Sequence, residues 1–224
     1  PGRVCVDGAC GGSCSRLVLP EFATAAECDA LRCLAAEHMA LAAGDAGAAH
    51  MQQFNFVDSV TGGHVRTTLL MVRLVERLRR ATAHEYGLPL PSVAPHSAFV
   101  SRWAPGAGCG DGTPVHGDEA ACAGFHYSSV LHLASQGGEF DGGDFVFSDP
   151  PHSAALDTAP SRTAVEIGLA EAAPPASTRR KSSAGRLLTR VAPVQGRAMI
   201  FSSGWENLHF VDVIRTGARF AMPA

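Results

Sequence analysis

The part of the chain that follows Pro95 consists of short extended runs, and this pattern constrains the fold more than any other feature. Glycine or proline bounds each run. The runs cover residues 96–103, 127–133, 144–147, 190–194, 198–202, 208–213 and 218–222. Many short strands with turn signals between them are typical of a β-sandwich or a β-barrel. We therefore expect a mostly β fold.

Two helices are predicted upstream of these strands. Thr24 and Glu27 have the spacing of a capping box, and apolar side chains then recur at steps of three and four as far as Gly44. A second helix is expected from Thr67 to Tyr86, with apolar residues on one side and arginines on the other. Apart from Phe54, Phe56 and Val57, the segment 45–63 between the helices has the glycine and alanine content of a surface loop.

The length of 224 residues allows one generous domain or two small ones. Residues 1–16 are interpreted as a cysteine- and glycine-rich arm, and residues 17–224 as a single domain. An insertion loop is expected at about 148–183, where five prolines accompany many alanines and serines. Together with 45–63, this insertion is expected to form the lip of a pocket, because loops carry specificity.

Seven cysteines, an odd number, stand at positions 5, 10, 14, 28, 33, 109 and 122. The first three lie among glycines, where the backbone can turn tightly enough for disulfides or, less readily, for a metal. Disulfides favour the secretory pathway, in particular the lumen of the endoplasmic reticulum, whereas reduced thiols in the cytosol are the other interpretation. The chain starts at Pro1, so the lack of a leader or anchor segment does not establish a cytosolic location.

Charge and hydropathy argue against two classes of partner. The net charge of −3 gives no global attraction to nucleic acid. The basic stretch Arg179–Lys181 is interpreted as a solvated loop, because no aromatic residues interleave with it. No apolar run approaches the length of about 20 residues that a membrane-spanning helix needs. We expect no nucleic-acid partner and no membrane span in this chain.

A candidate metal site combines residues from two distant parts of the chain. His116 and Asp118 are two positions apart on a segment expected to be extended, which places an imidazole and a carboxylate on one side. Such a triplet taken alone is more often a surface turn. His209 alternates with Val211 and Val213 on a predicted strand, where it is the odd member of an inward face. Two histidines and one carboxylate are the ligand set of non-haem Fe(II) oxygenases.

Arg219 follows His209 by ten positions and lies on the next predicted strand. A guanidinium group binds a carboxylate through two parallel hydrogen bonds, which suits the far end of a dicarboxylic acid chelated to the metal. A zinc hydrolase with the same three ligands is the weaker interpretation, because Arg219 would then have no evident function.

Segments with recognisable motifs follow one another in a fixed order. They are Phe22 with Glu27–Cys28, Arg102–Gly106, Ser128–Leu133, Gly142–Phe145, Pro193–Phe201 and His209–Phe220. The last of these looks like the pattern H-x-V-x-x-V-x-x-G-x-R-[YF]. Taken together, the segments resemble the prolyl 4-hydroxylase-like 2-oxoglutarate and Fe(II)-dependent dioxygenases. The resemblance extends from about Leu17 to Met222 and is broken mainly at the insertion.

Carried over by position, the resemblance implies that His116, Asp118 and His209 bind iron and that Arg219 binds the distal carboxylate of 2-oxoglutarate. Where the family usually has a tyrosine that hydrogen-bonds this cosubstrate, the chain has His132. Histidine can still donate a hydrogen bond, but it is shorter than tyrosine and it titrates.

Other residues near these motifs have more than one interpretation. Ser128 stands where the family commonly has threonine, and it is assigned to the cosubstrate site. Asn207 precedes His209 by two positions, so it is expected on the same strand face, where it orients the cosubstrate or the substrate, or else caps a turn. Trp205 is interpreted as a core aromatic, with contact to a peptide substrate as the alternative.

The resemblance further implies a double-stranded β-helix, or jelly roll, with the N-terminal helices packed on one sheet. The implied reaction is hydroxylation of peptidyl proline. It requires Fe(II), consumes O2 and 2-oxoglutarate, and releases CO2 and succinate, with ascorbate as an additional cofactor. The partner is then a proline-containing peptide or protein. Two alternatives stay open: an oxygenase of the same fold that acts on another residue or a small molecule, and a binding module without turnover, for which His132 is the only support.

Overall fold

The computed structural model describes residues 4–5, 16–43, 51–105, 112–121, 124–149, 178–181 and 187–224. The helices in these parts of the chain are α1 (Ala25–Ala43), α2 (Phe56–Thr61), α3 (Val65–Glu85) and α4 (Asp118–Ala121). Short helical turns lie at Leu90–Ser92 and Trp205–Asn207. None of the helices in these ranges has the length and apolar character required to cross a lipid bilayer.

The strands of the described chain are short, as the sequence predicts. They are β1 (Val4–Cys5), β2 (Arg16–Leu19), β3 (Met51–Asn55), β4 (Phe99–Trp103), β5 (Tyr127–His132), β6 (Phe140–Gly142), β7 (Phe145–Asp149), β8 (Thr178–Lys181), β9 (Leu187–Val191), β10 (Ala198–Ser202), β11 (His209–Val211), β12 (Ile214–Gly217) and β13 (Arg219–Pro223). Helices and strands occupy similar shares of the described residues, so the expectation of a mostly β chain understates the helical part.

The strands pair antiparallel in a large and a smaller sheet, with one further two-stranded pair. The large sheet has the order β1-β2-β10-β5-β13-β4-β3, the smaller one has the order β11-β7-β9-β8, and β12 pairs with β6. Neighbours in the large sheet are distant in sequence: Ala221 of β13 pairs with His132 of β5, and Met199 of β10 pairs with Val18 of β2. Such crossovers are those of a jelly roll rather than of a simple meander.

Side chains alternate between two apolar clusters along the strands of the large sheet. One cluster contains Leu131 and Met222 from the sheet together with Leu31 of α1 and Leu74 of α3. The other contains the intervening Val130 and Ala221 together with residues of the smaller sheet, such as Phe147 and Val191. The large sheet therefore has a helix-facing side and an inner side, as the period of two along a strand requires.

The first predicted helix is confirmed together with its cap. The backbone N–H of Thr24 donates to the Glu27 carboxylate at 2.9 Å, and the N–H of Glu27 donates to Thr24 Oγ1 at 3.2 Å. These two bonds form the capping box that opens α1. The second predicted helix is also present, as α3, and begins two residues earlier than expected.

The segment 45–63 is not simply a loop, and this expectation was wrong. Residues 51–55 form β3 at the edge of the large sheet, and α2 follows at once. Asn55 caps α2 reciprocally with Asp58, through two hydrogen bonds of 3.0 and 2.8 Å. The cap was therefore present in the sequence as an asparagine followed three residues later by an aspartate. Residues 44–50 lie outside the described residues.

The predicted arm and insertion fall largely outside the described residues, but strands extend into both. Val4–Cys5 pairs with β2, and Arg16 is the first residue of β2 rather than the last of the arm. Ser148 and Asp149 continue β7, and Thr178–Lys181 pairs with β9. Of the cysteines, Cys28 is buried with a free thiol and Cys33 is exposed with a free thiol. The positions 10, 14, 109 and 122 lie outside the described residues.

We predict that Leu74→Ala lowers the free energy of unfolding by about 2–5 kcal/mol, because it leaves a cavity in the cluster between α3 and the large sheet. Leu74 is fully buried, whereas Leu69 on the same helix is 51% exposed. Leu69→Ala is the matched control and should change the stability by less than about 0.5 kcal/mol. Urea unfolding of both variants measures the difference, and equal losses would contradict this packing.

Candidate metal centre

Backbone pairing brings His116 and His209 together across 93 positions of sequence. The N–H of His116 donates to the carbonyl of His209 at 3.0 Å, and the N–H of His209 donates to the carbonyl of His116 at 2.9 Å. Asp118 follows as the first residue of α4, so the histidine and the carboxylate do not lie on one continuous extended segment as expected. The turn into α4 still directs the carboxylate toward both imidazoles.

The three side chains form a compact cluster of metal-binding groups. Nε2 of His116 and Nε2 of His209 each lie 3.6 Å from Oδ1 of Asp118. One ligand atom from each residue lies within 4.8 Å of the other two. The side chain of His209 is only 5% exposed, whereas that of His116 is 41% exposed, so the cluster has a buried side and a side open to solvent.

The other ring nitrogen of each histidine is held by a backbone carbonyl. Nδ1 of His116 lies 2.8 Å from the carbonyl oxygen of Pro114, and Nδ1 of His209 lies 2.8 Å from that of Asn207. A carbonyl oxygen only accepts, so Nδ1 carries the hydrogen in both rings and Nε2 keeps its lone pair. This arrangement of a second hydrogen bond behind each ring is typical of histidines that bind metals.

Aromatic side chains enclose the imidazole of His209. Phe145 stacks on it with ring centroids 4.8 Å apart and an interplanar angle of 20°, and Phe201 meets it at 5.0 Å. Burial lowers the pKa of His209, although the Asp118 carboxylate acts in the opposite direction. The ring is therefore kept in the neutral form that a metal requires.

Arg219 lines the same cavity as the cluster and lacks hydrogen-bond partners for part of its guanidinium group. The residue is 2% exposed, and Nε and Nη2 have no partner among the described residues. Burial lowers the pKa of Arg219 to about 10, which still leaves the group charged at neutral pH. Buried charges are normally paired, so these two donors fit an anionic ligand such as a carboxylate.

Two adjacent glycines allow close approaches beside this arginine, and the second of them leaves room for its side chain. Gly143 has φ +70°, and a Cβ atom there would lie 3.1 Å from Cδ of Arg219. Gly142 has φ +81°, and a Cβ atom there would lie 2.0 Å from the carbonyl oxygen of Val213. The Gly142–Phe145 motif of the sequence thus marks the place where the chain passes closely beside Arg219.

His132 lies on the same inner face of β5 as Ser128, with no exposed surface. Neither of its ring nitrogens has a hydrogen-bond partner in the described part of the chain. Burial lowers the pKa of His132 well below its usual value, and the positive charges of Arg219 and Arg197 lower it further. The imidazole is therefore neutral, with one donor and one acceptor available.

Ser128 and Asn207, the other two predicted cosubstrate residues, have different positions. Ser128 lines the cavity, and its hydroxyl lies 2.7 Å from that of Ser203. Asn207 is fully buried and belongs to a helical turn instead of the strand of His209, so the expectation of a shared strand face was wrong. Its side-chain amide binds Arg16 and Ser202. Asn207 therefore contacts the metal centre through its backbone carbonyl.

The cavity has a volume of about 540 Å³ and extends from the cluster to the start of β4 and to α3. Its outer part is lined by residues 92–97, by Phe125 and by the strand residues Phe99 and Trp103. Of the segment 45–63, Gln53 alone among the described residues lines it, and most of the insertion 148–183 lies outside the described residues, so the expected lip stays a prediction. His126 also lines the cavity.

Trp205 is not a core residue. It is 73% exposed and lies on the helical turn between β10 and β11. The interpretation as a core aromatic was therefore wrong. The same turn packs beside the cluster, because a Cβ atom at Gly117 would lie 3.4 Å from the carbonyl oxygen of Gly204.

Comparison with solved structures identifies the fold. A viral collagen prolyl hydroxylase from Paramecium bursaria Chlorella virus-1, in its 2-oxoglutarate complex, matches with a TM-score of 0.53 and 14% identity over 96% of both chains. A prolyl hydroxylase from Trichoplax adhaerens, in complex with a hypoxia-inducible factor peptide, matches with a TM-score of 0.53 and 12% identity over 93% of this chain and 81% of that one.

A third match is the epimerase SnoN, in complex with Fe3+, α-ketoglutarate and nogalamycin RO. Its TM-score is 0.56 and its identity 16%, over 93% of this chain and 77% of the SnoN chain. The fold of this chain is that of the 2-oxoglutarate and Fe(II)-dependent oxygenases. The resemblance noted in the sequence is thus confirmed for the fold. No protein-family model matches the sequence, and no curated protein matches it either.

We predict that His209→Ala weakens Co(II) binding by more than about 100-fold, a loss greater than that caused by removing an outer hydrogen-bond partner of a ligand. Co(II) is a stable substitute for Fe(II) in air, and isothermal titration measures its affinity. His126→Ala is the matched control, because His126 lines the same cavity but lies outside the cluster. Unchanged affinity in His209→Ala would contradict the ligand assignment.

Proposed function

We propose that this protein is an Fe(II)- and 2-oxoglutarate-dependent dioxygenase. The observation that carries the proposal is the buried guanidinium group of Arg219, whose Nε and Nη2 have no partner among the described residues. It lines the cavity that also contains the cluster of His116, Asp118 and His209. A hydrolytic metal centre would have no use for such a group, whereas a dicarboxylic cosubstrate needs a cation at its far end.

The residues divide the work between metal and cosubstrate. His116, Asp118 and His209 would hold Fe(II) on one side, which leaves its other positions free for ligands. Arg219 would bind the distal carboxylate of 2-oxoglutarate through two hydrogen bonds. Bound together, the iron and 2-oxoglutarate supply the activation of O2 and the oxidation of a substrate C–H bond, with release of CO2 and succinate.

The surroundings of the site shield its buried side from water and fix the ligand His209. Phe145 and Phe201 cover His209 on two sides, so a metal held there would have an apolar wall on its buried side. Neutral His132 would contribute a hydrogen bond in the place of the family's tyrosine without adding a second positive charge beside Arg219. A role for ascorbate stays a prediction.

For the substrate we propose peptidyl proline. The sequence motifs resemble those of prolyl hydroxylases, and two of the matching folds are prolyl hydroxylases, one of them with a peptide bound. The outer part of the cavity offers apolar and aromatic contacts from Val93, Pro95 and Phe99. Such contacts suit a proline ring, which is apolar and rigid.

A small-molecule substrate is the second candidate. SnoN, whose structure contains nogalamycin RO, matches this chain with a TM-score of 0.56. A cavity of about 540 Å³ lies within the range that holds compounds of drug size. The two candidate functions differ in the class of substrate: the first requires a peptide, whereas the second does not.

We predict that release of CO2 from 2-oxoglutarate requires Fe(II), and that Arg219→Ala raises the apparent KM for 2-oxoglutarate by about 10- to 100-fold. Loss of hydrogen bonds to a charged group, about 1.5–3 kcal/mol, gives this range. Retention of Co(II) should change far less. Arg215→Ala is the control, because Arg215 is an exposed arginine that pairs with Asp141. An unchanged KM in Arg219→Ala would exclude the proposed cosubstrate site.

We predict that a proline-rich peptide gains one oxygen atom per modified residue when it is incubated with the protein, Fe(II) and 2-oxoglutarate. Mass spectrometry detects the product, and fragmentation locates the oxygen. The same peptide with alanine in place of proline is the control. Stimulated succinate formation without peptide oxidation would favour the small-molecule candidate.

A further inference from the structure

A second buried arginine lies behind the metal centre, on the side away from the cavity. Arg16 is the first residue of β2, it is 1% exposed, and its guanidinium carbon lies 4.0 Å from the ring centre of Phe147. Phe147 in turn packs edge-on against the imidazole of His209 at 6.2 Å. Arg16 thus belongs to the group of side chains that surrounds this ligand, although 193 positions of sequence separate it from His209.

The guanidinium group of Arg16 connects two parts of the chain. Nη2 and Nη1 donate to the two carboxylate oxygens of Asp149 at 2.5 and 3.2 Å, which anchors the group on the last residue of β7. Nε donates to Oδ1 of Asn207 at 2.5 Å, and Nη2 also donates to the carbonyl oxygen of Glu206 at 3.2 Å. Only a guanidinium has enough donors, in a fixed plane, for all of these acceptors.

Asn207 transmits this anchoring to the metal ligand. Its Nδ2 donates to the backbone carbonyl and the hydroxyl of Ser202, both at 2.9 Å, so the side chain is held from β10 as well as from Arg16. Its backbone carbonyl accepts the hydrogen bond from Nδ1 of His209 at 2.8 Å. The position of that carbonyl decides the orientation of the ring and which nitrogen carries the hydrogen.

We propose that Arg16 is a positioning residue for the metal ligand His209, acting through Asn207. The inference rests on the proposed metal centre. A buried ion pair such as Arg16 with Asp149 is weak evidence for a role in stability, because replacing both partners by apolar groups often leaves stability unchanged. Outer hydrogen-bond partners of a ligand, in contrast, change metal affinity by about 10- to 100-fold.

The test replaces the ion pair as a unit. In the double variant Arg16→Met with Asp149→Leu no uncompensated charge stays buried, so the protein is expected to fold. Two quantities are measured: Co(II) affinity with the visible absorption spectrum of the bound metal, and the imidazole nitrogen NMR shifts of His209 in the metal-free protein. We expect Co(II) binding weaker by about 10- to 100-fold, an altered spectrum, and a mixture of tautomers at His209 in place of one.

Two single variants separate positioning from simple loss of structure. Thr189→Val removes the 3.3 Å hydrogen bond from Thr189 to Asp149 but leaves the bonds from Arg16 to Asn207 and Glu206 in place. It should lower the thermal stability without changing Co(II) affinity or the tautomer of His209. Arg16→Lys keeps the charge but lacks the planar set of donors, and it should lose part of the affinity even if the double variant fails to fold.

The outcomes that overturn the inference are distinct from those that overturn the proposed function. Equal Co(II) affinity, spectrum and tautomer in the wild type, in the double variant and in Arg16→Lys would overturn the role of Arg16 alone. An equal loss of affinity in Thr189→Val would also overturn it, because the effect would then follow from stability. Lack of Co(II) binding by the wild type would overturn the proposed function and this inference with it.

Discussion

The alternation of side chains along the large sheet is the constraint on which the rest of the structure depends. On β13, Phe220 and Met222 face the helices, while Arg219 and Ala221 lie on the inner side. The same alternation places His132 on the inner side of β5. A shift of one residue in the register of either strand would exchange these two sets, and Arg219 or His132 would then face the apolar helices. Fold and site are therefore specified by the same pattern.

Polar groups on the inner side are arranged at two levels. Arg219, whose Nε and Nη2 have no partner among the described residues, lines the cavity, whereas Arg16 lies deeper and binds Asp149. A buried guanidinium with free donors is costly in the absence of a ligand, while one with a carboxylate partner fixes the geometry around it. Under the proposed function, Arg219 would bind a ligand directly, whereas Arg16 would orient the metal ligand His209.

Much of this could be predicted from the sequence, where the information is local or periodic. The capping box of α1, the short strands, and the grouping of His116 and Asp118 with His209 and Arg219 follow from spacing and motif. Asn207 was placed on a strand because it precedes His209 by two positions, but the chain turns at Trp205–Asn207 and the parity argument fails there. Turns of this kind depend on long-range hydrogen bonds that no local pattern contains.

Arg16 is a second example of a residue whose surroundings local sequence patterns do not predict. The sequence pattern assigns it to the N-terminal arm, whereas it opens β2, and its partners Asp149 and Asn207 come from two other elements far along the chain. The surroundings of Trp205 likewise decide its exposure, since a tryptophan next to a metal ligand is as compatible with a core position as with a surface one. Pairings between distant segments therefore have to be observed.

The unequal exposure of the three clustered side chains has a consequence for how the protein would gain and lose a metal ion. Solvent reaches His116 and Asp118, which are 41% and 25% exposed, but hardly reaches His209, which is 5% exposed. Exchange of the metal ion would then proceed from the open face, where His116 would be the first ligand to dissociate from the ion and His209 the last. A chelator would bind the ion at that face. The size of the chelator, and not only its affinity, would therefore determine how fast the protein loses the metal ion.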